Sequence, residues 1–310
     1  MFCSVVIPTI GRNSLTKTVK SVINQTIAAN SFEIIVVNDS GKSLIEADWQ
    51  QAIQVQLIHT NHHERSVARN TGAALARGKY LLFLDDDDWL LPHALQSFWQ
   101  LAQSTEAAWL YGGTQIVDRQ GQPLLQLHHG LSGNCFVQVL AGEWIPLQAS
   151  LIRADAFFAL GGFNPLLAGP EDIDLLRRIA LQHELVAMPE VVVCLAMGLD
   201  GSTTDYDHHS ERSRWAREMI LSTNGVLARM RASAHSSYWH GRIVRAYLTS
   251  TVWNLRRKRL WTAISRTTHA LYAIALAGSY LFSTRFWQAV LKPYSSETFA
   301  HGLREAQKTP

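Results

Sequence analysis

Cysteine is scarce in this chain. Three residues in 310, at Cys3, Cys135 and Cys194, stand far apart with no CxxC spacing. An odd, dispersed set excludes a disulfide framework and a clustered zinc site, and it suits a reducing compartment. Long hydrophobic runs are also missing. The longest apolar stretch, residues 270–282, is 13 residues and contains Gly278 and Ser279, too short for a membrane span. The N-terminus has neither a basic segment nor a leader-type apolar segment before Phe2-Cys3-Ser4-Val5-Val6-Ile7-Pro8, so no secretory leader is expected. Together these absences lead to the expectation of a cytoplasmic protein, free or at the inner face of the cell membrane. Charged residues make up only 17% against 47% hydrophobic, which excludes disorder and predicts a packed core.

The most informative stretch that is present is Leu81-Leu82-Phe83-Leu84-Asp85-Asp86-Asp87-Asp88-Trp89. Four apolar residues read as a buried strand, and four carboxylates follow at its end. Adjacent carboxylates raise one another's pKa unless a cation or good solvation relieves them. A hard divalent ion such as Mg²⁺ or Mn²⁺, held by one or two carboxylates and completed by phosphates, suits that chemistry. A solvated acidic turn leading into a helix after Pro92 is the plainer reading.

Around this run, strand and helix signals alternate. Short apolar runs at 4–8, 33–37, 55–58 and 80–84 read as strands, and helical periodicity occupies 15–25 and 66–76. Such alternation predicts βαβ units and a parallel sheet. The loops after successive strands then face one edge, gathering residues 9–12, 38–40 and 85–88 into a single crevice. Further on, a helix is expected at 92–104, a strand at 108–117 with a turn near 118–121, a strand at 149–152 and a helix at 172–181. Residues 201–310 read as helical, with the boundary expected at 198–207.

Charge divides the same way. Residues 1–200 carry 12 Lys+Arg and 19 Asp+Glu, whereas residues 201–310 carry 16 and 6. The basic run Arg256-Arg257-Lys258-Arg259 sits among Trp, Tyr, Leu and Ala. Two readings stand for this tail: peripheral contact with an anionic membrane, or helices that pack on the first domain or pair two copies into a homodimer. No RNP, KH or zinc-finger signature accompanies the charge, so no nucleic-acid partner is expected.

Five motifs, in order, resemble those of family 2 inverting glycosyltransferases: Val5-Val6-Ile7-Pro8-Thr9, residues 33–40, Ala68-Arg69-Asn70-Thr71-Gly72, residues 80–88, and Gly161-Gly162-Phe163 followed by Glu171-Asp172-Ile173-Asp174-Leu175. The resemblance spans roughly residues 2–195 and implies an α/β fold: a GT-A-like, Rossmann-type, mostly parallel sheet flanked by helices. Residues 1–200 would be the nucleotide-sugar transferase domain, with 201–310 a basic helical extension. The Gln-x-x-Arg-Trp motif of processive synthases is missing from that extension.

The resemblance implies a nucleotide-sugar donor, most simply UDP-linked, a hydroxyl acceptor on a glycan, lipid-linked or small molecule, and a magnesium or manganese ion. Asp39 would accept a hydrogen bond from the base, although it also suits a simple Asx turn. Thr9, Arg12, Arg69, Asp85 and Asp86 fall in the nucleotide-binding set, although Arg12 also suits simple offset of the acidic crevice and Arg69 a structural tie to the acidic turn; Asp87 would be the main metal ligand, with Asp85 beside it. Asp88 is expected to cap the following helix. Asp172 would be the general base, although it also suits a simple acidic helix start; Glu171 would hold the acceptor or orient Asp172, and Asp174 would pair with Arg177 or Arg178. Trp89, Trp144 and His208 are the acceptor or diphosphate candidates, each with a plainer reading as a core or loop residue. The rival class is a non-catalytic nucleotide-binding or membrane-docked regulatory protein on the same fold.

Overall fold

The computed structural model describes residues 1–61, 64–118, 120–167, 169–196 and 215–292. These fall into two compact units. The first takes residues 1–135 and 145–216; the second takes 136–144 together with the helices that follow residue 217. The boundary expected at 198–207 lies outside the described residues.

The first unit is built on a nine-stranded sheet. Its parallel half consists of β1 (Cys3–Thr9), β2 (Phe32–Asn38), β3 (Val55–His59) and β4 (Tyr80–Phe83). β1 pairs parallel with both β2 and β4, and β2 pairs parallel with β3. Every residue of β2 and of β4 is buried, which is why these segments read as continuous apolar runs rather than alternating ones. The other half is mixed. β4 is flanked antiparallel by β8 (Ser150–Arg153), which pairs with β6 (Trp109–Val117). β6 runs parallel to β9 (Leu185–Ala196) and forms the expected hairpin with β7 (Pro123–Leu127). At the far edge, β5 (Trp89–Leu90) pairs antiparallel with β9.

The helices of this unit are α1 (Leu15–Ile23), α2 (Arg65–Leu75), α3 (Ala94–Ala102), α5 (Ala154–Ala159) and α6 (Glu171–Gln182); α4 (Phe136–Leu140) belongs to the second unit. α2 is capped by Glu64, whose carboxylate accepts from Val67 N–H at 2.8 Å. Gly72 lets α2 lie close to the sheet. A Cβ there would fall 2.4 Å from Val6 Cγ1 and 3.1 Å from Val37 Cγ2.

One sequence expectation is corrected here. Asp88 does not cap the next helix, because the short strand β5 intervenes and α3 begins six residues on, after His93. Asp88 is buried instead, and its Oδ1 accepts from Ala196 N–H at the end of β9, at 2.9 Å.

The second unit contains α4, α7 (Val226–Ala232), α8 (Ser236–Arg256), α9 (Leu260–Ala277) and α10 (Thr284–Leu291). Val244, Ala273, Ala277, Phe286 and Val290 form its core. Gly241 admits α10 against α8, since a Cβ there would meet Phe286 O at 2.3 Å. Among the described residues, no helix is long and apolar enough to cross a membrane.

Candidate active site

The carboxyl ends of β1, β2 and β4 open on one edge, and the loops that leave them meet there. Thr9 and Asn38 are register partners, and Asp39 N–H donates to Thr9 O at 2.8 Å. After β4 the chain makes a turn closed by Asp88 N–H donating to Asp85 O at 3.1 Å. The crevice predicted from strand order is therefore formed: Thr9 Oγ1 donates to Asp86 Oδ2 at 2.6 Å, and Arg12 Nη1 reaches Asp86 Oδ1 at 2.6 Å and Asp87 Oδ2 at 3.2 Å.

The four carboxylates are held differently. Asp85 accepts from Arg69 Nη2 at 2.6 Å and from Gln148 Nε2 at 2.7 Å. Asp86 is buried between Thr9 and Arg12. Asp88 is buried against β9. Asp87 keeps a side chain 43% exposed, touched by Arg12 at the long distance already given.

Their titration follows from these surroundings. Burial pushes the Asp85 carboxyl up, but the Arg69 and Arg65 guanidiniums outweigh it, so its pKa lies below the ordinary value. Burial and the neighbouring Asp85 charge raise Asp87, with Arg12 opposing. Burial and the charges of Asp85 and Asp87 push Asp88 well above the usual range. A turn with charge this poorly balanced, and one carboxylate facing solvent, has the hard-oxygen chemistry that suits a divalent cation. Among the described residues no three His, Cys, Asp or Glu groups converge as metal ligands. A cation here would therefore take one or two protein carboxylates and complete its shell from phosphate and water.

Arg69 joins this turn to the second acidic motif. It is 2% exposed, and its Nη1 donates to Glu171 Oε1 at 2.9 Å. Arg65 Nη1 adds a longer contact to the same oxygen at 3.4 Å, and Gly169 N–H donates to Glu171 Oε2 at 3.0 Å. Burial works against the Arg69 charge, yet Asp85 and Glu171 hold its pKa above the ordinary arginine value. Two motifs far apart in sequence are thus tied through one guanidinium, whose Nε has no hydrogen-bond partner. The Arg69 guanidinium also lies 5.3 Å from the centre of the Phe163 ring. Phe163 is positioned by Asn70, which donates to Phe163 O at 2.8 Å and accepts from Phe163 N–H at 3.0 Å.

α6 begins at this junction. Glu171 is 1% exposed, whereas Asp172 is half-buried in the first turn. Burial raises the pKa of both carboxyls; the Asp172 charge adds to the shift at Glu171, and Arg69 opposes it at both. Asp174 pairs with Arg178 at 2.7 Å, and Arg178 also donates to Leu160 O and Gly162 O. That fastens the Gly161-Gly162 turn to α6.

The remaining candidates divide. Asp39 is buried, accepting from Thr60 Oγ1 at 2.7 Å and Glu64 N–H at 2.7 Å, beside the start of α2. Asn38 is a turn former whose amide donates to Lys42 O and accepts from Ser40. Trp89 lies on β5 with the Lys17 ammonium 3.0 Å over its ring, which covers one aromatic face. Trp144 is half-buried and belongs to the helical unit. His208 lies outside the described residues. Sequence reasoning missed Gln148, Arg65 and Lys17. Gln148, in the turn before β8, and Lys17, on α1, carry no motif, and their partners Asp85 and Trp89 are distant in sequence.

Residues 4–141 match the family model described as "Glycosyl transferase family 2". A poly(ribitol-phosphate) beta-N-acetylglucosaminyltransferase, TarP of Staphylococcus aureus, is 30% identical over 115 residues, which is 35% of each chain. An uncharacterized glycosyltransferase of Haemophilus influenzae is 24% identical over 180 residues, 57% of this chain and 61% of that one. The chain thus spans from about a third to under two thirds of these relatives. Among solved structures, residues 1–349 of S. aureus TarS in complex with UDP-GlcNAc superpose with a TM-score of 0.60 at 14% identity, covering 89% of this chain and 92% of that one. That likeness shows the expected α/β fold with its C-terminal helices.

Proposed function

We propose, from the premise that residues 4–141 belong to glycosyl transferase family 2, that this chain transfers a sugar from a nucleotide-diphosphate donor to a hydroxyl acceptor with inversion. The observation that carries the reading is the Asp85–Arg69–Glu171 bridge, at 2.6 and 2.9 Å. It brings a donor-type carboxylate turn and an acidic helix start into one site, as a single displacement requires.

In this reading Asp39 recognises the base. A carboxylate at the end of a strand can accept a charge-assisted bond from an imide N–H. Thr9 and Arg12 hold Asp86 and so set the floor of the nucleotide pocket, while Arg69 fixes Asp85 beside the ribose and diphosphate. Asp87, with Asp85, would hold the divalent cation, which when bound neutralises charge on the departing diphosphate. Asp172 takes the proton from the acceptor hydroxyl as that oxygen bonds to the anomeric carbon. The bond from that carbon to the diphosphate oxygen breaks, and the nucleotide diphosphate leaves. Glu171, fixed by Arg69 and Gly169, orients the turn that carries Asp172. The UDP-GlcNAc held by TarS and the polyol-phosphate acceptor in the name of TarP make a UDP-sugar and a hydroxyl of a cell-envelope glycan the first pair to try.

Calorimetry of UDP binding with and without Mn²⁺ tests the donor half. Wild-type protein is expected to bind UDP more tightly with Mn²⁺, and Asp87→Ala is expected to abolish that difference. Mn²⁺-independent binding in the wild type, or an unchanged Mn²⁺ effect in the variant, removes Asp87 from the metal role.

A further inference from the structure

The run Arg256-Arg257-Lys258-Arg259 is given no role in the proposed transfer reaction and forms the connection between α8 and α9. Its backbone is fixed. Lys258 N–H donates to Leu255 O at 2.9 Å and Arg259 N–H to Asn254 O at 2.9 Å, the paired bonds of a Schellman helix end. The left-handed position of such an end is usually glycine. Here it is Lys258, with φ of 58°, the one non-glycine with positive φ among the described residues. All four side chains are exposed. Arg257 stacks over the Trp253 ring at 3.9 Å. A lysine standing where glycine would close the helix with less strain points to a use for its charge.

Apolar residues flank this tip in solvent at helical spacing. Leu248, Val252 and Leu255 on α8, and Leu260, Trp261 and Ile264 on α9, are between 41% and 85% exposed. The α9 row continues to Leu276. Between Met219 and Ser296 the chain has eleven Lys and Arg and no Asp or Glu. Of the acids elsewhere in the described part of this unit, Glu143 is buried against Tyr238 and Lys292, and Glu218 is exposed.

We propose that this tip and its flanking rows dock on the anionic face of a lipid bilayer, with the cations on headgroups and Leu260 and Trp261 in the interface. A second copy of the same surface would set like charges against each other. A soluble polyanion would suit the exposed positive charge but leave Trp261, 85% exposed, and its apolar neighbours in water. An anionic bilayer suits both the charge and the apolar rows, and clustered cations beside an amphipathic helix are its usual ligand. The docking does not depend on the transfer reaction.

Flotation of the full chain with vesicles of phosphatidylcholine, alone or mixed with phosphatidylglycerol, tests this. Binding is expected only with phosphatidylglycerol and is expected to weaken with salt, as the screening length falls from about 10 Å at 0.1 M to about 3 Å at 1 M. R256A/R257A/R259A is expected to lose about a hundredfold in vesicle affinity, at roughly fivefold per cation. Lys258→Gly separates docking from folding: its thermal midpoint is expected to hold or rise while vesicle affinity falls about fivefold. Trp261→Ser is expected to weaken binding while leaving the salt dependence in place. Equal binding to neutral vesicles, or none to either kind, overturns the proposal. So does polyphosphate binding as tight as vesicle binding and indifferent to Trp261→Ser, or a dimer dissociated by Trp261→Ser without vesicle binding.

Discussion

At Arg69 one buried guanidinium carries two obligations, the half-buried Asp85 at 2.6 Å and the buried Glu171 at 2.9 Å. Removing one partner of a buried ion pair leaves uncompensated charge and costs about 3–5 kcal/mol. Arg69→Met is therefore expected to lower the unfolding free energy from urea titrations by that order, and Arg69→Lys to recover only part, because one ammonium cannot reproduce the fork. A change below about 1 kcal/mol in urea titrations, the range of a surface pair, would show that the bridge is solvated. A second buried carboxylate gives a pH-dependent test away from the crevice. Glu33 accepts from Ser4 Oγ and Arg77 N–H at 2.7 Å each, and from the Arg77 guanidinium at 2.6 and 2.9 Å. Burial pushes its pKa up, but these bonds outweigh burial and hold it below the ordinary value. A depressed carboxylate contributes stability above its unfolded pKa of about 4.3, and that contribution is lost as pH falls through the folded value. Glu33→Gln is expected to cost about 1–3 kcal/mol at neutral pH and to lose less than wild type as the pH drops below about 4. Parallel acid limbs in denaturant titrations of the two proteins contradict this.

At the scale of elements, most of the parallel half of the sheet was legible because β1, β2 and β4 are buried on both faces and so read as unbroken apolar runs. The β6–β7 hairpin was legible from its turn residues near 118–121. β5 was not, since two residues carry no period, and missing it misassigned Asp88. Nor could sequence show that 136–144 joins the helical unit, because the helices it joins begin some 80 residues later. The site was half legible. Thr9, Arg12 and the acidic run meet as strand order requires, whereas Gln148 reaches Asp85 from a strand entry with no motif. The α2–sheet contact tests the packing directly. Alanine at Gly72 gains helix propensity, yet its Cβ would lie 2.4 Å from Val6 Cγ1. Gly72→Ala is expected to destabilise by about 1–3 kcal/mol through overpacking. A stabilised variant in thermal unfolding would mean that α2 can lift off β1 at little cost.

For the whole molecule, an acidic sheet unit with a transferase-type crevice is joined to a basic helical unit, and the formal net charge of +3 conceals the difference. The first unit carries every residue to which the transfer chemistry is assigned, so that chemistry can be tested within one site. The most direct measurement is nucleotide diphosphate release from a panel of UDP-sugars with Mn²⁺ and glycan or polyol-phosphate acceptors, comparing wild type with Asp172→Asn and measuring UDP affinity alongside. The expected result is turnover by the wild type on at least one pair, with a rate about 10²–10⁴ lower in Asp172→Asn and UDP affinity unchanged. A wild-type rate in Asp172→Asn on that pair, or UDP binding by the wild type with no turnover across the panel, contradicts the assignment.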